Sequence, residues 1–327
     1  MPSEFGKNIK VSVFGESHGA AIGAVIDGLP AGEEINEAEL FSFMARRAPG
    51  KTLTTPRKEA DTPRFVSGVY EGKTTGSPVC VVIENTDTRS SDYKKMQTIP
   101  RPGHADFTAW LRYAGHADMR GGGHFSGRLT APVCAVGGVA LQILKRRGIA
   151  INAHIYSIGG VRGEAMYELI KNLDGDSVGG VIECEAAGVP AGLGGGVYGL
   201  ESKLSYALFG VPGVKGVEFG SGFEGSRKKG SENNDAFIVE NNEIVTATNN
   251  HGGLLGGITT GMPLVFRIAL KPTPSIALEQ DSVDLETLKS VKLKIEGRHD
   301  PCIAIRAVPV AEAVCALVLL DEIIERN

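Results

Sequence analysis

Apolar positions along this chain fall mostly into short runs, with a few longer stretches between them, and the two kinds predict different elements. The short runs are NIKVSVFG, AAIGAVID, FVSGVY, PVCVVIEN, INAHIYSIGG, GGVIECEAAG, AFIVE and PLVFRIAL. They are β-branched and bounded by turn residues, which predicts strands, and most are joined by turns too brief for a parallel crossover. Antiparallel pairing follows. Three segments predict helices. Asn36 and Glu39 form a capping-box pattern before LFSFMARR; LTAPVCAVGGVALQILKRRG ends in a basic turn with Gly148 as its stop; VPVAEAVCALVLLDEIIER closes the chain. The middle helix lacks charge from Leu129 to Leu144 and carries Gly137 and Gly138, the pattern of a helix buried on all sides with a close neighbour. Strands and helices do not alternate as βαβ units, and no fixed-period repeat is visible. The prediction is an α+β fold in which antiparallel sheets cover a central helical layer, with many irregular loops at the 44 glycines. With 327 residues, the chain is read as one domain spanning 1–327. The polar, asparagine-rich stretch from Glu224 to Asn250 predicts an exposed, mobile excursion.

Charge narrows the partners. The net charge of −4 argues against nucleic acid or an anionic membrane, which demand Lys and Arg spread over one face. Positive charge is local instead: Arg46, Arg47, Arg101, Arg112, Arg120, Arg128 and Arg298 sit beside Gly, His or Pro, as suits a small polyanion. The five cysteines are odd in number, widely spaced and mostly in apolar runs, which predicts reduced thiols in a reducing compartment. MPSEFGKNIK has no apolar signal region, and the longest apolar stretch, Ala311 to Leu320, is interrupted by Glu312 and too short to span a bilayer. A soluble, cytoplasmic protein is expected.

Candidate chemistry sits in loops. GESHG, Gly15 to Gly19, follows a predicted strand, and its glycines let Ser17 and His18 approach a ligand; a structural His in a turn is the plain alternative. It is not read as a GxSxG nucleophile elbow, because AAIGAVID after it reads as strand, not helix. RPGHAD, Arg101 to Asp106, is stiffened by its prolines and glycine and aims Arg101 and His104; alternatively His104 and Asp106 merely bond each other. RGGGHFSGR, Arg120 to Arg128, leads into the buried helix, where outward N–H groups and the helix dipole favour an anion and Phe125 can pack on a flat ring. It matches neither a Walker A loop nor a dinucleotide fingerprint. EGRHDPC, Glu296 to Cys302, offers a carboxylate for proton transfer ahead of the strand-like IAIRAV; a zinc site through His299 and Cys302 has no ligand pair at metal spacing to support it. KPTPS, Lys271 to Ser275, suits a phosphate, and HGGLLGG, His251 to Gly257, permits close backbone approach.

Taken in order, GESHG, RRxPG, RPGHAD, RGGGxxSxR, KPTxS and RHDPC resemble the motif set of the chorismate synthase family, from Val13 to about Leu320. The resemblance implies a β-α-β sandwich, a homotetramer, and conversion of 5-enolpyruvylshikimate 3-phosphate to chorismate and phosphate by anti-1,4-elimination with reduced FMN. By the same resemblance Arg47, Arg101 and Arg128 hold substrate anions, and His18 protonates the leaving phosphate with Ser17 and Ser126 as relay partners. His104 lies at the flavin pyrimidine edge, and Asp300 accepts a proton at flavin N5. Further flavin contacts fall on His124, Phe125, Ser126, Gly213, Gly256, Lys271, Pro272, Thr273, Pro274, Ser275 and Arg298. Some relatives reduce the flavin with NADPH. The chain departs from the family pattern at His124, where many relatives have Arg, and after RRxPG.

Overall fold

The computed structural model describes residues 3–50, 61–86, 98–295 and 299–326. Two antiparallel sheets enclose a layer of helices. The first sheet orders its strands Glu4–Phe5, Lys10–Gly15, Ala21–Asp27, Val79–Glu84 and Arg64–Ser67; the second orders Val214–Phe219, Leu264–Leu270, Gly180–Ala187 and Ala150–Ile158. Period-two alternation explains which face turns inward. Leu264, Phe266, Ile268 and Leu270 are buried in one strand and pair with Ala186, Cys184, Ile182 and Gly180 of the next.

Between the sheets lie the helices Glu37–Arg47, Thr130–Arg146 and Ala304–Arg326. The central helix Thr130–Arg146 packs on strands of the first sheet, and the C-terminal helix Ala304–Arg326 packs on strands of the second. The first helix is capped as predicted, with the Asn36 side chain accepting from Glu39 N–H at 3.1 Å. Gly137 and Gly138 each serve a different neighbour. A Cβ on Gly137 would stand 2.4 Å from Ala313 Cβ of the C-terminal helix, and one on Gly138 would stand 2.5 Å from Leu40 Cδ1 of the first. Gly137→Ala is therefore expected to lower the melting temperature, because overpacking of about 1–3 kcal/mol outweighs the ~1 kcal/mol that alanine gains in helix propensity. A thermal melt checks this. By length and composition the segment Gly127–Arg146 could cross a membrane, but 83% of its apolar window is buried inside the protein, as befits a core helix.

A buried carboxylate ties the layers together. Glu312 accepts from Arg46 Nη1 and Nη2 at 2.6 and 2.8 Å and from Ala153 N–H at 2.8 Å, joining both outer helices of the layer to the second sheet.

Two expectations need correction. IAIRAV is not a strand, since the helix begins at Ala304 and carries Pro309 inside it. FVSGVY is two elements: Arg64–Ser67 joins the first sheet, whereas Val69–Tyr70 pairs with Lys73–Thr74, and Gly68 between them has a φ of 79°. The excursion from Glu224 to Asn250 is mostly exposed, as expected, and carries a short helix Gly230–Asn233 and a hairpin pairing Phe237–Glu240 with Glu243–Thr246.

Candidate active site

The glycine run of RGGGHFSGR forms the floor of the site. Gly121, Gly122 and Gly123 have φ of 61°, 89° and 53°, a succession that side chains with a Cβ enter only at about 1 kcal/mol or more each. What lies against them explains the choice. A Cβ on Gly121 would stand 2.4 Å from His18 Cδ2, 2.6 Å from His18 Nε2 and 3.0 Å from Ser17 Oγ. A Cβ on Gly122 would stand 3.0 Å from both Cε1 and Nε2 of His104 and 3.5 Å from Arg101 Nη2. Two adjacent glycines thus gather GESHG and RPGHAD onto one stretch of backbone. Ser17 N–H closes the arrangement by donating to Gly123 O at 3.1 Å, and Ser17 and His18 are both buried.

In the RPGHAD loop one carboxylate organises everything. Asp106 accepts from Arg101 Nε at 2.7 Å, Arg101 Nη2 at 2.8 Å and the Arg101 backbone N–H at 2.9 Å, while its Oδ1 lies 2.6 Å from His104 Nδ1. Burial works against its ionisation, yet the hydrogen bonds from Arg101 and His104 prevail and hold this carboxyl well below the usual carboxylate range. The bond between His104 and Asp106, the plain alternative for this motif, is present, and it sits within a wider network.

KPTPS is clamped onto the same loop. Lys271 Nζ donates to Gly103 O, Arg101 Nη1 donates to Ser275 Oγ at 3.2 Å, and Pro274 lies 3.8 Å from where a Gly103 Cβ would be. Lys271 N–H donates to Gly213 O at 2.9 Å. Burial, aided by Lys215, lowers the Lys271 ammonium from its ordinary value. Beyond Pro272, Thr273 Oγ1 donates to Asp300 O at 2.7 Å; Asp300 Oδ2 accepts from Arg306 Nη1 at 2.8 Å, and Arg306 Nε donates to Arg47 O at 2.9 Å. His104, Asp300 and Arg47 are therefore linked by one chain of bonded groups.

Arg47 and Arg128 converge on Asp61, whose two oxygens accept one guanidinium each and whose side chain is fully buried. Arg47 also donates to Thr130 Oγ1 and Gly127 O, both at 3.0 Å. Arg128 Nε donates to Asn85 Oδ1 at 3.1 Å, and Asn85 Nδ2 donates to Glu16 O at 3.1 Å and Gly19 O at 2.9 Å. The paired arginines are thereby fastened to the loop that carries His18.

The remaining candidates divide. Ser126 caps the turn before the central helix, accepting from Arg128 N–H at 3.3 Å, and Phe125 lies 6.2 Å from the Tyr113 ring. His124 is engaged at both nitrogens, with Nδ1 2.8 Å from Gly15 O and Nε2 2.6 Å from Ser3 Oγ, so its ring braces the end of the strand before GESHG. Gly256 turns a hairpin between Leu254–Leu255 and Ile258–Thr259, where a Cβ would meet nothing within 4 Å among the described residues; its neighbour Gly257 packs against Gly199. No contact among the described residues brings Gly256 to the imidazoles. Arg298 lies outside the described residues. Sequence reasoning assigned no role to Asp61, Asn85 or Arg306. Asp106 stood in a quoted motif, whereas Asp61 and Asn85 carried no local signal.

The profile of the chorismate synthase family matches residues 9–324. The chain belongs to the chorismate synthase family. A chorismate synthase of Thermococcus kodakarensis is 46% identical over 346 residues, covering 98% of either chain. That of Archaeoglobus fulgidus is 46% identical over 345 residues, covering 97% of this chain and 96% of its own, and that of Lancefieldella parvula is 44% identical over 364 residues. A crystal structure of chorismate synthase superposes with a TM-score of 0.77 at 28% identity, covering 98% of this chain and 93% of that one. Family membership makes the chain a lyase of the shikimate pathway, in aromatic biosynthesis.

Proposed function

We propose that this chain removes phosphate and a ring hydrogen from 5-enolpyruvylshikimate 3-phosphate by anti-1,4-elimination, giving chorismate, as a carbon–oxygen lyase that needs reduced FMN. One observation carries the reading: two imidazoles, His18 and His104, are pinned on adjacent glycines beside Arg101, with Arg47 and Arg128 fastened to the same loops. A substrate bearing a phosphate and two carboxylates calls for several guanidinium groups. Arg47 and Arg128 meet at one buried carboxylate, which keeps two guanidinium groups side by side where the substrate's anions are to be held. His18 protonates the departing phosphate, with its chain neighbour Ser17 and the Ser126 hydroxyl as relay partners. Asp300, held at Oδ2 by Arg306, is the carboxylate that would accept a proton at flavin N5.

The residues fit a flavin. Among the described residues, a Cβ on Gly127 would meet nothing within 4 Å, so none of them crowds the backbone between Ser126 and Arg128. Lys271, Thr273, Ser275 and Gly213 lie across the RPGHAD loop and offer the cation, hydroxyls and backbone that a ribityl phosphate requires. Phe125, His124 and Gly256, with Pro272 and Pro274 as stiffeners, complete the expected holding set. When bound, reduced FMN supplies an electron to the substrate and regains it, so the reaction has no net redox change.

Anaerobic addition of substrate to protein with dithionite-reduced FMN is expected to release phosphate, with oxidised FMN inactive and a chelator without effect. Absence of release overturns the reading in favour of a flavin-sequestering protein. Repeating the assay with NADPH as sole reductant tests an intrinsic flavin reductase. The same reading makes the protein a cytoplasmic homotetramer; exposed Phe223, Phe237, Val239 and Ile244 offer apolar surface for such an assembly to bury.

A further inference from the structure

We propose that Asp106 is a positioning residue: its carboxylate keeps the proton of His104 on Nδ1 and so presents Nε2 to the site. The inference rests on the proposed flavin-facing role of His104 only for its kinetic consequence.

Nδ1 lies 2.6 Å from the Asp106 carboxylate, which only accepts, and 3.1 Å from Arg101 Nη2, which only donates; the shorter, charge-assisted contact favours Nδ1–H and leaves Nε2, 3.4 Å from Arg101 Nη2, as the acceptor. Asp106 cannot turn away. Two N–H groups of the Arg101 guanidinium and the Arg101 backbone N–H hold it at 2.7–2.9 Å. The opposite side of the ring, Cε1 and Nε2, lies over Gly122, whose missing side chain leaves room for it. An arginine, an aspartate and a histidine within six residues thus form a fixed array in which only the imidazole keeps a titratable nitrogen toward the glycine floor.

The charges around His104 set its state. Its own loop supplies Asp106 and Arg101, and the KPTPS loop supplies Lys271. Burial is the largest influence and lowers the imidazole pKa; the Asp106 hydrogen bond opposes it; Arg101 and Lys271 add to the lowering. The net direction is downward from the ordinary value of about 6.5, so His104 is neutral at physiological pH. Among the described residues, Asp106 is the neighbour that raises it. Asp106→Asn should therefore move the midpoint further down, and the amide, able to offer either oxygen or NH₂, should free the ring to place its hydrogen on Nε2.

Nitrogen-15 NMR of the histidine-labelled full chain, with His104→Gln to assign the resonance, reads this directly. The parent is expected to show a neutral His104 with Nδ1–H at pH 7. Asp106→Asn should show a lower midpoint and a population with Nε2–H, together with a loss of at least about 10²-fold in kcat for phosphate release under saturating reduced FMN. A charged His104 or an Nε2–H ring in the parent overturns the proposal, as does an Asp106→Asn spectrum with unmoved tautomer and midpoint. The parent spectrum decides the question even if the variant does not fold. Because the NMR measurement uses the free protein, it stands or falls separately from the enzymatic reading, which fails on absent phosphate release by the parent.

Discussion

Replacing His18 by alanine is expected to slow phosphate release by about 10²–10⁴-fold, the range for losing a positioned general acid, while the protein still binds FMN as judged by flavin fluorescence. The reasoning begins with placement. His18 is only 7% exposed, and its ring is pressed against Gly121 beside Ser17. An imidazole held so closely by backbone keeps one orientation, with its Cδ2–Nε2 edge toward the glycine floor where a ligand would lie. His104→Ala should give a loss of the same kind through the neighbouring glycine. A second variant separates chemistry from mere packing. Gly121→Ala keeps the imidazole but puts a Cβ 2.4 Å from His18 Cδ2 at a φ of 61°, so the ring must shift. A displacement of about 1 Å is enough to lose some 10²-fold in rate. If His18→Ala releases phosphate as fast as the parent, His18 has no part in the reaction. If Gly121→Ala does so, the ring need not sit where the glycine places it.

The architecture was readable wherever one local period decided it. Alternating apolar residues gave the strands of both sheets, and an uncharged run with an internal glycine pair marked a helix with close neighbours, which proved to be Ala313 on one side and Leu40 on the other. Period failed where two signals competed. IAIRAV is β-branched and reads as strand, yet it continues into an apolar stretch that is helical from Ala304, and the burial of that helix between the other layers overrides local propensity. FVSGVY looked like one strand because nothing in its apolar pattern reveals that Gly68 bends the chain against Val79. The site shows the same division. His18, His104 and the glycine run stood out because unusual backbone needs glycine and proline, which are visible in sequence. Arg306 was hidden in the misread strand, and Asp61 lies in a polar stretch whose partners come from distant segments. Long-range ion pairing leaves no local mark.

Asp61 yields the largest expected effect on stability. Its side chain is fully buried and accepts from both Arg47 and Arg128, themselves only 3% and 5% exposed at the side chain. Removing one partner from a buried ionic group leaves charge without compensation and destabilises by about 3–5 kcal/mol, whereas exposed pairs contribute about 1 kcal/mol or less. Asp61→Asn, which keeps the volume and removes the charge, is therefore expected to destabilise the fold by about 3–5 kcal/mol in urea unfolding. A loss below about 1 kcal/mol would mean that water or another group already balances the arginines. Added phosphate gives the functional half of the test. If the two guanidiniums are the substrate's anion site, Asp61 competes with an incoming anion for them, and its removal should let inorganic phosphate stabilise the variant more than the parent at equal concentration. Equal stabilisation of both would assign Arg47 and Arg128 to holding the loops together and leave Arg101 to meet the substrate's charge.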